Sequence, residues 1–251
     1  MKNKYLNELN GLKKVTASSM FHKNFKLPYL TISCSYKDYS EDVFLIMDNI
    51  YQELKIDALI SALLDGKEVN FTEKRAALHC RYRNLSQKSN EFDSISASKF
   101  FLKNVKENSY KNIFVFGIGG SYEGPKLLHE FTETKENLFF ITGPDKDEFL
   151  TLVKPRLKEK NLYIFISKSF STDEVLLSHS WLPKNVAKSN LFAITANKSK
   201  AIELGFVKKN IIDFPKSIGG RYSIWSQVSS PVLLPNEYKD FLRGAASIDD
   251  D

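Results

Sequence analysis

Three clusters in this chain have residue types and spacing suited to holding an anion, and each follows a stretch that reads as a β-strand. The first is Gly117-Ile118-Gly119-Gly120-Ser121-Tyr122-Glu123-Gly124-Pro125, directly after the apolar run Asn112-Ile113-Phe114-Val115-Phe116. Its glycines let backbone close on a ligand with no side chain in the way. Leu127, Leu128 and Phe131 then recur at helical spacing, so a helix N-terminus with outward N–H groups is expected at the turn. A dinucleotide fingerprint needs glycine where Tyr122 stands, and a nucleoside-triphosphate loop needs lysine where Pro125 stands. One hydroxyl, Ser121, beside a ring of amides suits a single terminal phosphate. A tight strand-to-helix connection with no ligand fits the same residues.

The second cluster, Ser167-Lys168-Ser169-Phe170-Ser171-Thr172, follows the apolar run Leu162–Ile166. Four hydroxyls and one ammonium within six residues can saturate the oxygens of a phosphate. Ser171 to Glu174 also matches a capping box, which accounts for one or two of these side chains as helix starters but not for all five. The third cluster is Ile218-Gly219-Gly220-Arg221-Tyr222-Ser223-Ile224-Trp225-Ser226. Paired glycines permit close backbone approach, and the arginine adds a permanent cation. An arginine beside aromatics also stacks or pairs on an ordinary surface.

These segments together resemble the glucose-6-phosphate isomerase family. Gly117-Ile118-Gly119-Gly120-Ser121 with Gly124-Pro125 is similar to its glycine turn, Ile166–Thr172 with Glu174 to its phosphate loop, and Gly219–Ser223 with Trp225-Ser226 to its arginine signature. Asn70–His79 is similar to its N-terminal helix motif, and Phe241–Ala245 with Asp249 to its next helix. The resemblance implies reversible aldose–ketose isomerisation between glucose 6-phosphate and fructose 6-phosphate, a step of glycolysis and gluconeogenesis. It implies that Gly120, Ser121, Ser167, Lys168, Ser169 and Thr172 hold the phosphate, with Gly220 near the substrate. Arg221 would stabilise the cis-enediolate, and a fixed guanidinium needs no reorganisation when that charge forms.

Moving a proton between C2 and C1 requires a general base. The resemblance places it, a glutamate in a Gly-Asn-rich motif, beyond the arginine signature, with a ring-opening histidine and lysine later still. None of His22, His79, His129 and His179 stands in the corresponding context, and His79 with Glu73, six apart on a helix, would face different ways. The chain is therefore expected to be the N-terminal lobe of a protein about twice as long, inactive by itself. The alternatives are a non-catalytic sugar-phosphate-binding module and a structural dimerisation lobe. The resemblance further implies a homodimer with active sites near the subunit interface.

Composition narrows the classes. The 251 residues are 42% hydrophobic and 26% charged, ordinary for a globular domain with a core. Cys34 and Cys80 alone give no disulfide framework and suit free thiols in a reducing, cytoplasmic compartment. No apolar run has membrane-spanning length, and Met1-Lys2-Asn3-Lys4 does not lead into a signal-like core. The net charge of +6 comes from scattered lysines. The densest basic stretch is Arg81-Tyr82-Arg83, and many aromatics lie in strand runs, so neither nucleic acid nor membrane is expected as a partner. A mildly basic surface steers an anionic sugar phosphate instead. No metal-ligand cluster is visible, and an enediolate reaction needs no redox cofactor.

These sites must be positioned by α/β alternation. Strands are expected near 112–116, 137–142, 161–166, 190–195 and 210–213, with helices near 97–107, 123–132, 146–159, 173–180 and 198–204. The spacing predicts a parallel sheet flanked by helices on both faces, with ligands at the carboxyl ends of the strands. Residues 1–90 form an N-terminal helical lead-in, with a short strand at 29–34, helices over 41–54 and 56–64, and another beginning at Thr72 near Arg75. Residues 91–235 form the sugar-phosphate-binding domain. Residues 236–251, with a helix over 237–246, would connect towards a second lobe.

Overall fold

Continuous runs of aromatic and β-branched residues become strands covered on both faces, because only such positions can bury every side chain of a run. The computed structural model describes residues 2–11, 21–27, 30–36, 42–69, 74–84, 90–132 and 137–249. The chain divides into two units, Met1–Ala76 with Ser247–Asp251, and Ala77–Ala246.

The first unit contains helices α1 (Lys2–Gly11), α2 (Asp42–Glu53) and α3 (Ile56–Leu64). The Tyr5 hydroxyl donates to the Glu53 carboxylate, joining α1 to α2. Lys55, left-handed at φ 52°, separates α2 from α3. An antiparallel hairpin of β1 (Phe21–Leu27) and β2 (Leu30–Tyr36) accompanies the helices, so the lead-in is not purely helical. Only β2 is expected from sequence, since the two lysines and asparagine of β1 hide its pattern. The helix expected from Thr72 does not form over the described part of its stretch. Lys74 takes a left-handed φ of 47°, which cannot propagate a right-handed helix, and the next turn is a 3₁₀ helix at His79–Tyr82. Residues 70–73 lie outside the described residues.

The second unit is built on β3 (Asn112–Phe116), β4 (Leu138–Ile141), β5 (Asn161–Ile166), β6 (Leu191–Thr195) and β7 (Ile211–Asp213). All neighbours are parallel, in the order β4-β3-β5-β6-β7. Side chains alternate across the sheet. On one face Val115, Leu162, Ile164, Phe192 and Ile194 pack with Phe101 of α4 (Ser94–Asn108), Leu128 of α5 (Glu123–Glu130) and Tyr238 of α9 (Pro235–Asp249). On the other, Phe114, Phe116, Tyr163 and Phe165 pack with Phe149 after α6 (Lys146–Glu148), Val175 of α7 (Asp173–Ser180) and Ala201 of α8 (Lys198–Glu203). Helices thus cover both faces, as the alternation predicts.

Within the sheet unit, α4 and the stretch 146–159 depart most from expectation, while α9 extends the expected 237–246 at both ends. α4 starts early, at Ser94, because the Asp93 carboxylate accepts the Ser96 N–H at 2.8 Å and caps it. The helix expected over 146–159 is one α turn, a π turn at Phe149–Val153 and a 3₁₀ turn at Lys154–Arg156. Pro155 causes the break: it has no N–H to donate and its ring crowds the preceding turn. Among the described residues, no helix is long and apolar enough to cross a membrane.

The chain passes from β3 outward to β4, then returns across β3 to begin β5. The α5 connection lies on one face and the α7 connection on the other. Winding therefore reverses between β3 and β5, and the carboxyl ends of these two strands open a crevice.

His179 of α7 has its ring 5.3 Å from Phe165 and 5.2 Å from Phe206. Burial lowers its pKa below the usual 6.5. Below about pH 6.5 the unfolded chain takes up a proton that the folded chain refuses, so stability holds above that pH and declines as pH falls beneath it. His179→Phe is expected to flatten that slope in urea denaturation at pH 7.5 and 5.5. An unchanged difference between the two pH values would assign the acid sensitivity to other groups.

Candidate functional site

All three anion-suited clusters lie in the sheet unit. The registers Phe116↔Phe165 and Ile166↔Ile194 bring the segments after β3, β5 and β6 out side by side at the carboxyl edge. After β3, the Gly117 N–H still donates to Ile141 at 3.2 Å, and Gly119 then turns the chain with a left-handed φ of 55°. The amides of Ser121 and Tyr122 close this turn on Ile118 and Gly119, at 3.2 and 2.9 Å. Two of the amides expected to surround a ligand are therefore spent inside the turn. The Ser121 hydroxyl stands at its end, half-buried.

The hydroxyl loop after β5 is braced from within. Ser167 is buried; its Oγ accepts the Phe170 N–H at 3.1 Å and lies 3.1 Å from Thr172 Oγ1. Ser169 Oγ accepts from both the amide and the hydroxyl of Ser171, at 3.2 and 2.8 Å. Phe170 holds a left-handed φ of 51° while its ring is buried 5.3 Å from Phe206. That conformation is costly for a residue with a Cβ, so burial of the ring sets the shape of the loop. Support also comes from β6: Lys168 O accepts from Ala196 N and Thr195 Oγ1, and Asn197 Nδ2 donates to Ser169 O at 3.1 Å.

The capping-box pattern is not used. Thr172 is the N-cap of α7 without any side-chain cap bond, so the hydroxyls of the loop face one another instead. Asp173 and Glu174 occupy the first turn of α7 and offset its dipole with their own charge. Attraction for an anion therefore rests on Lys168 and the hydroxyls more than on the helix terminus.

The arginine segment packs directly on the glycine turn. A Cβ on Gly120 would lie 2.0 Å from the carbonyl oxygen of Gly220. Ser223 Oγ lies 3.0 Å from Gly120 O and 2.7 Å from Gly220 O, within reach of both as donor. Gly124 is also tight, since a Cβ there would meet Ile224 at 3.1 Å. Gly220–Trp225 forms a 3₁₀ helix that leaves Arg221 exposed, its guanidinium 5.4 Å from the Tyr222 ring. Tyr222 stacks in turn on His79, with centroids 4.4 Å apart and planes within 13°.

One cation joins the second cluster to the third: Lys168 Nζ donates to Ile218 O at 2.6 Å. A charge-assisted bond of this kind contributes about 1.5–3 kcal/mol. Gly120 meets Gly220 and Lys168 meets the residue before Gly219, while Ser121, Ser167, Ser169, Thr172 and Arg221 sit on the same three segments. Hydroxyls and an ammonium on the first two segments are thereby linked to the segment that carries an exposed guanidinium. Such a set of groups is suited to binding an anion.

Thr195 and Asn197 support the site from outside the three clusters, and Ser223 does so from within the third, where its own role is not readable. Asn197 carries a readable signal, as its side chain caps α8 at Lys200 N. Of the pair His79 and Glu73, Glu73 lies outside the described residues and His79 serves as a stacking partner. Among the described residues, no group of three or more His, Cys, Asp or Glu side chains is placed to hold a metal.

Residues 34–251 match the family model described as Phosphoglucose isomerase. The chain is 27% identical to the glucose-6-phosphate isomerase of Buchnera aphidicola subsp. Schizaphis graminum (strain Sg), over 99% of this chain and 50% of that relative. It is 30% identical to the glucose-6-phosphate isomerase of Shewanella sp. (strain MR-4), over 81% of this chain and 44% of that relative. Among solved structures, a glucose-6-phosphate isomerase from Chlamydia trachomatis superposes with a TM-score of 0.66 at 20% identity, covering 85% of this chain and 47% of that one, a likeness of fold. The chain spans about half the length of the curated relatives it matches.

Space at the two glycines is unequal, which makes a paired test. A methyl group at Gly120 meets backbone that cannot retreat, whereas one at Gly220 meets nothing within 4 Å. Gly120→Ala is expected to destabilise the sheet unit by about 1–3 kcal/mol. Gly220→Ala should stay within about 1 kcal/mol of the parent. Thermal and urea unfolding of both variants checks this, and equal stability would mean that the two segments are not in contact.

Proposed function

The chain belongs to the phosphoglucose isomerase family, and on that premise we propose that it carries the sugar-phosphate site of a reversible isomerisation between glucose 6-phosphate and fructose 6-phosphate. The observation that carries the reading is the meeting of the three clusters at the point where the sheet reverses its winding, through Gly120 against Gly220 and Lys168 on Ile218. In this reading the hydroxyls of Ser121, Ser167, Ser169 and Thr172 bind the phosphate beside Gly120, and Lys168 adds positive charge to the loop. Gly220 keeps the far side of the crevice open to the sugar. Arg221 faces the carbon end.

In the aldose-to-ketose direction a base takes the proton from C2 and returns it to C1, while the hydroxyl proton passes from O2 to O1. Negative charge rests on those oxygens between the two transfers. A guanidinium already in place stabilises that charge without reorganisation. We assign the general base to no residue of this chain. The same reading makes residues 91–235 the sugar-phosphate-binding part, residues 1–90 a lead-in and residues 236–251 a helix leading to a second lobe. A cytoplasmic homodimer is the form in which such a pair of lobes would work.

The test is calorimetry with fructose 6-phosphate on the 251-residue chain, with a coupled isomerase assay on the same sample. Binding without turnover is expected. Turnover would show that a carboxylate of this chain acts as base, and absence of binding would sink the phosphate site. Ser169→Ala combined with Thr172→Val should weaken fructose 6-phosphate binding at least about tenfold, since each lost bond to a charged oxygen is worth about 1.5–3 kcal/mol.

Arg221→Ala separates the two ends of the ligand. Its affinity for inorganic phosphate should hardly change. Its affinity for an aldonic acid phosphate, whose planar carboxylate mimics the enediolate, should fall by about 100-fold. Equal loss for both ligands would move Arg221 to the phosphate end.

A further inference from the structure

Lys168 lies in the phosphate loop, yet its ammonium donates to the backbone carbonyl of Ile218, two residues before Gly220. We propose that Lys168 is a positioning residue for Arg221: its ammonium fixes the Ile218 carbonyl and so sets where the Gly219-Gly220-Arg221 segment stands relative to the phosphate loop. This rests on the reading of Arg221 as the group that meets the enediolate.

Both ends of this tie are anchored. The Lys168 carbonyl accepts from Ala196 N at 3.1 Å and from Thr195 Oγ1 at 3.2 Å, so the side chain reaches out from a point fixed to the end of β6. Ile218 is fully buried, its N–H donates to Pro215 at 3.2 Å, and the neighbouring Ser217 carbonyl accepts from Leu78 N. Between this anchor and the next lie two glycines, whose backbone has no side chains to restrain it. The next anchor is Ser223, at Gly120 O and Gly220 O. Arg221 thus sits on a short span held upstream by Lys168 and downstream by Ser223. Gly220 is also held against Gly120, so without the upstream tie the span is fixed from the downstream side alone, and Gly219 can change the angle at which the segment carrying Arg221 leaves Ile218.

The chemistry of the two cations favours this division. An ammonium is a compact donor of three hydrogen bonds that can serve a carbonyl and still lend its charge to a neighbouring anion. A bond given to a backbone carbonyl also aims the lysine before any ligand arrives. Both the phosphate loop and the arginine segment are then set by one residue, which joins the two ends of the substrate.

The experiment compares Lys168→Met, which keeps the length but not the donors, with Lys168→Arg, which keeps a donor. Hydrogen exchange on the unliganded chain reads the segment directly through the amides of Ile218 and Tyr222, which donate to Pro215 and Gly219. Lys168→Met is expected to speed their exchange while β5 stays protected, and Lys168→Arg to restore it in part. In calorimetry, Lys168→Met should weaken inorganic phosphate roughly threefold and the aldonic acid phosphate roughly thirtyfold or more. Added to Arg221→Ala, it should cost little beyond the threefold phosphate effect, because residues that act through one another are not additive. Unchanged exchange at Ile218 and Tyr222 would overturn the proposal, as would equal weakening of both ligands that adds in full to Arg221→Ala. A parent chain that binds neither ligand would instead sink the isomerase site, and the exchange comparison would still decide whether Lys168 holds the segment.

Discussion

The backbone of Gly120 approaches the backbone of Gly220 so closely that not even a methyl group fits between them. This contact sits at the mouth of the β3–β5 crevice and joins parts of the chain a hundred residues apart. Ser223 reaches the carbonyls of both glycines only because they are already adjacent. The 3₁₀ helix that presents Arg221 begins at one of them, and α5 begins just after the other. If the two backbones were a side chain's width further apart, the hydroxyl of Ser223 could no longer bridge them. The arginine segment would then lose its tie to the glycine turn.

What holds the glycines in place is the sheet and its two cores. Phe116 and Phe165 stack at 4.4 Å on one face, while Val115, Ile164 and Ile194 fill the other, so β3, β5 and β6 cannot slide without emptying both. The loops at their ends inherit that rigidity. Phe170 extends it outward: its ring, buried against Phe206, holds a left-handed backbone that its own sterics oppose. A loop of hydroxyl residues alone would lack such an anchor. One with a buried aromatic at its centre keeps its hydroxyls where the strand ends put them.

Strands and candidate loops were legible in the sequence because a strand buried on both faces shows as an unbroken apolar run, and because clustered glycines, or four hydroxyls with a lysine, directly after such a run are more than a turn alone requires. The fine structure was not. Pro155 breaks what periodicity reads as one long helix, and Asp93 starts α4 earlier than its apolar spacing suggests. The strand β1 carries too many polar residues to be read. Ser171 and Glu174 match a capping box, yet the hydroxyls find one another first, a competition between local bonds that sequence does not rank. Contacts across a hundred residues, such as Gly120 with Gly220, leave no local trace. Two Gly-Gly pairs are visible in the sequence, but not that they touch.

The distribution of charge follows from the same geometry. In the proposed reading, an anionic substrate with a second negative charge developing at its far end needs two cations that do not compete for one position. Placed on one loop, they would repel each other and both turn to the phosphate. Here the lysine belongs to the hydroxyl loop and the arginine to the segment across the crevice, and the lysine's bond to Ile218 O spends part of its donor capacity on the protein. Asp173 and Glu174 meanwhile offset the dipole of α7, so the helix terminus adds little attraction that would hold the ligand equally before and during reaction. Binding that is uniform along the reaction path lowers no barrier, whereas in the proposed reading a guanidinium kept for the carbon end acts only as charge appears there.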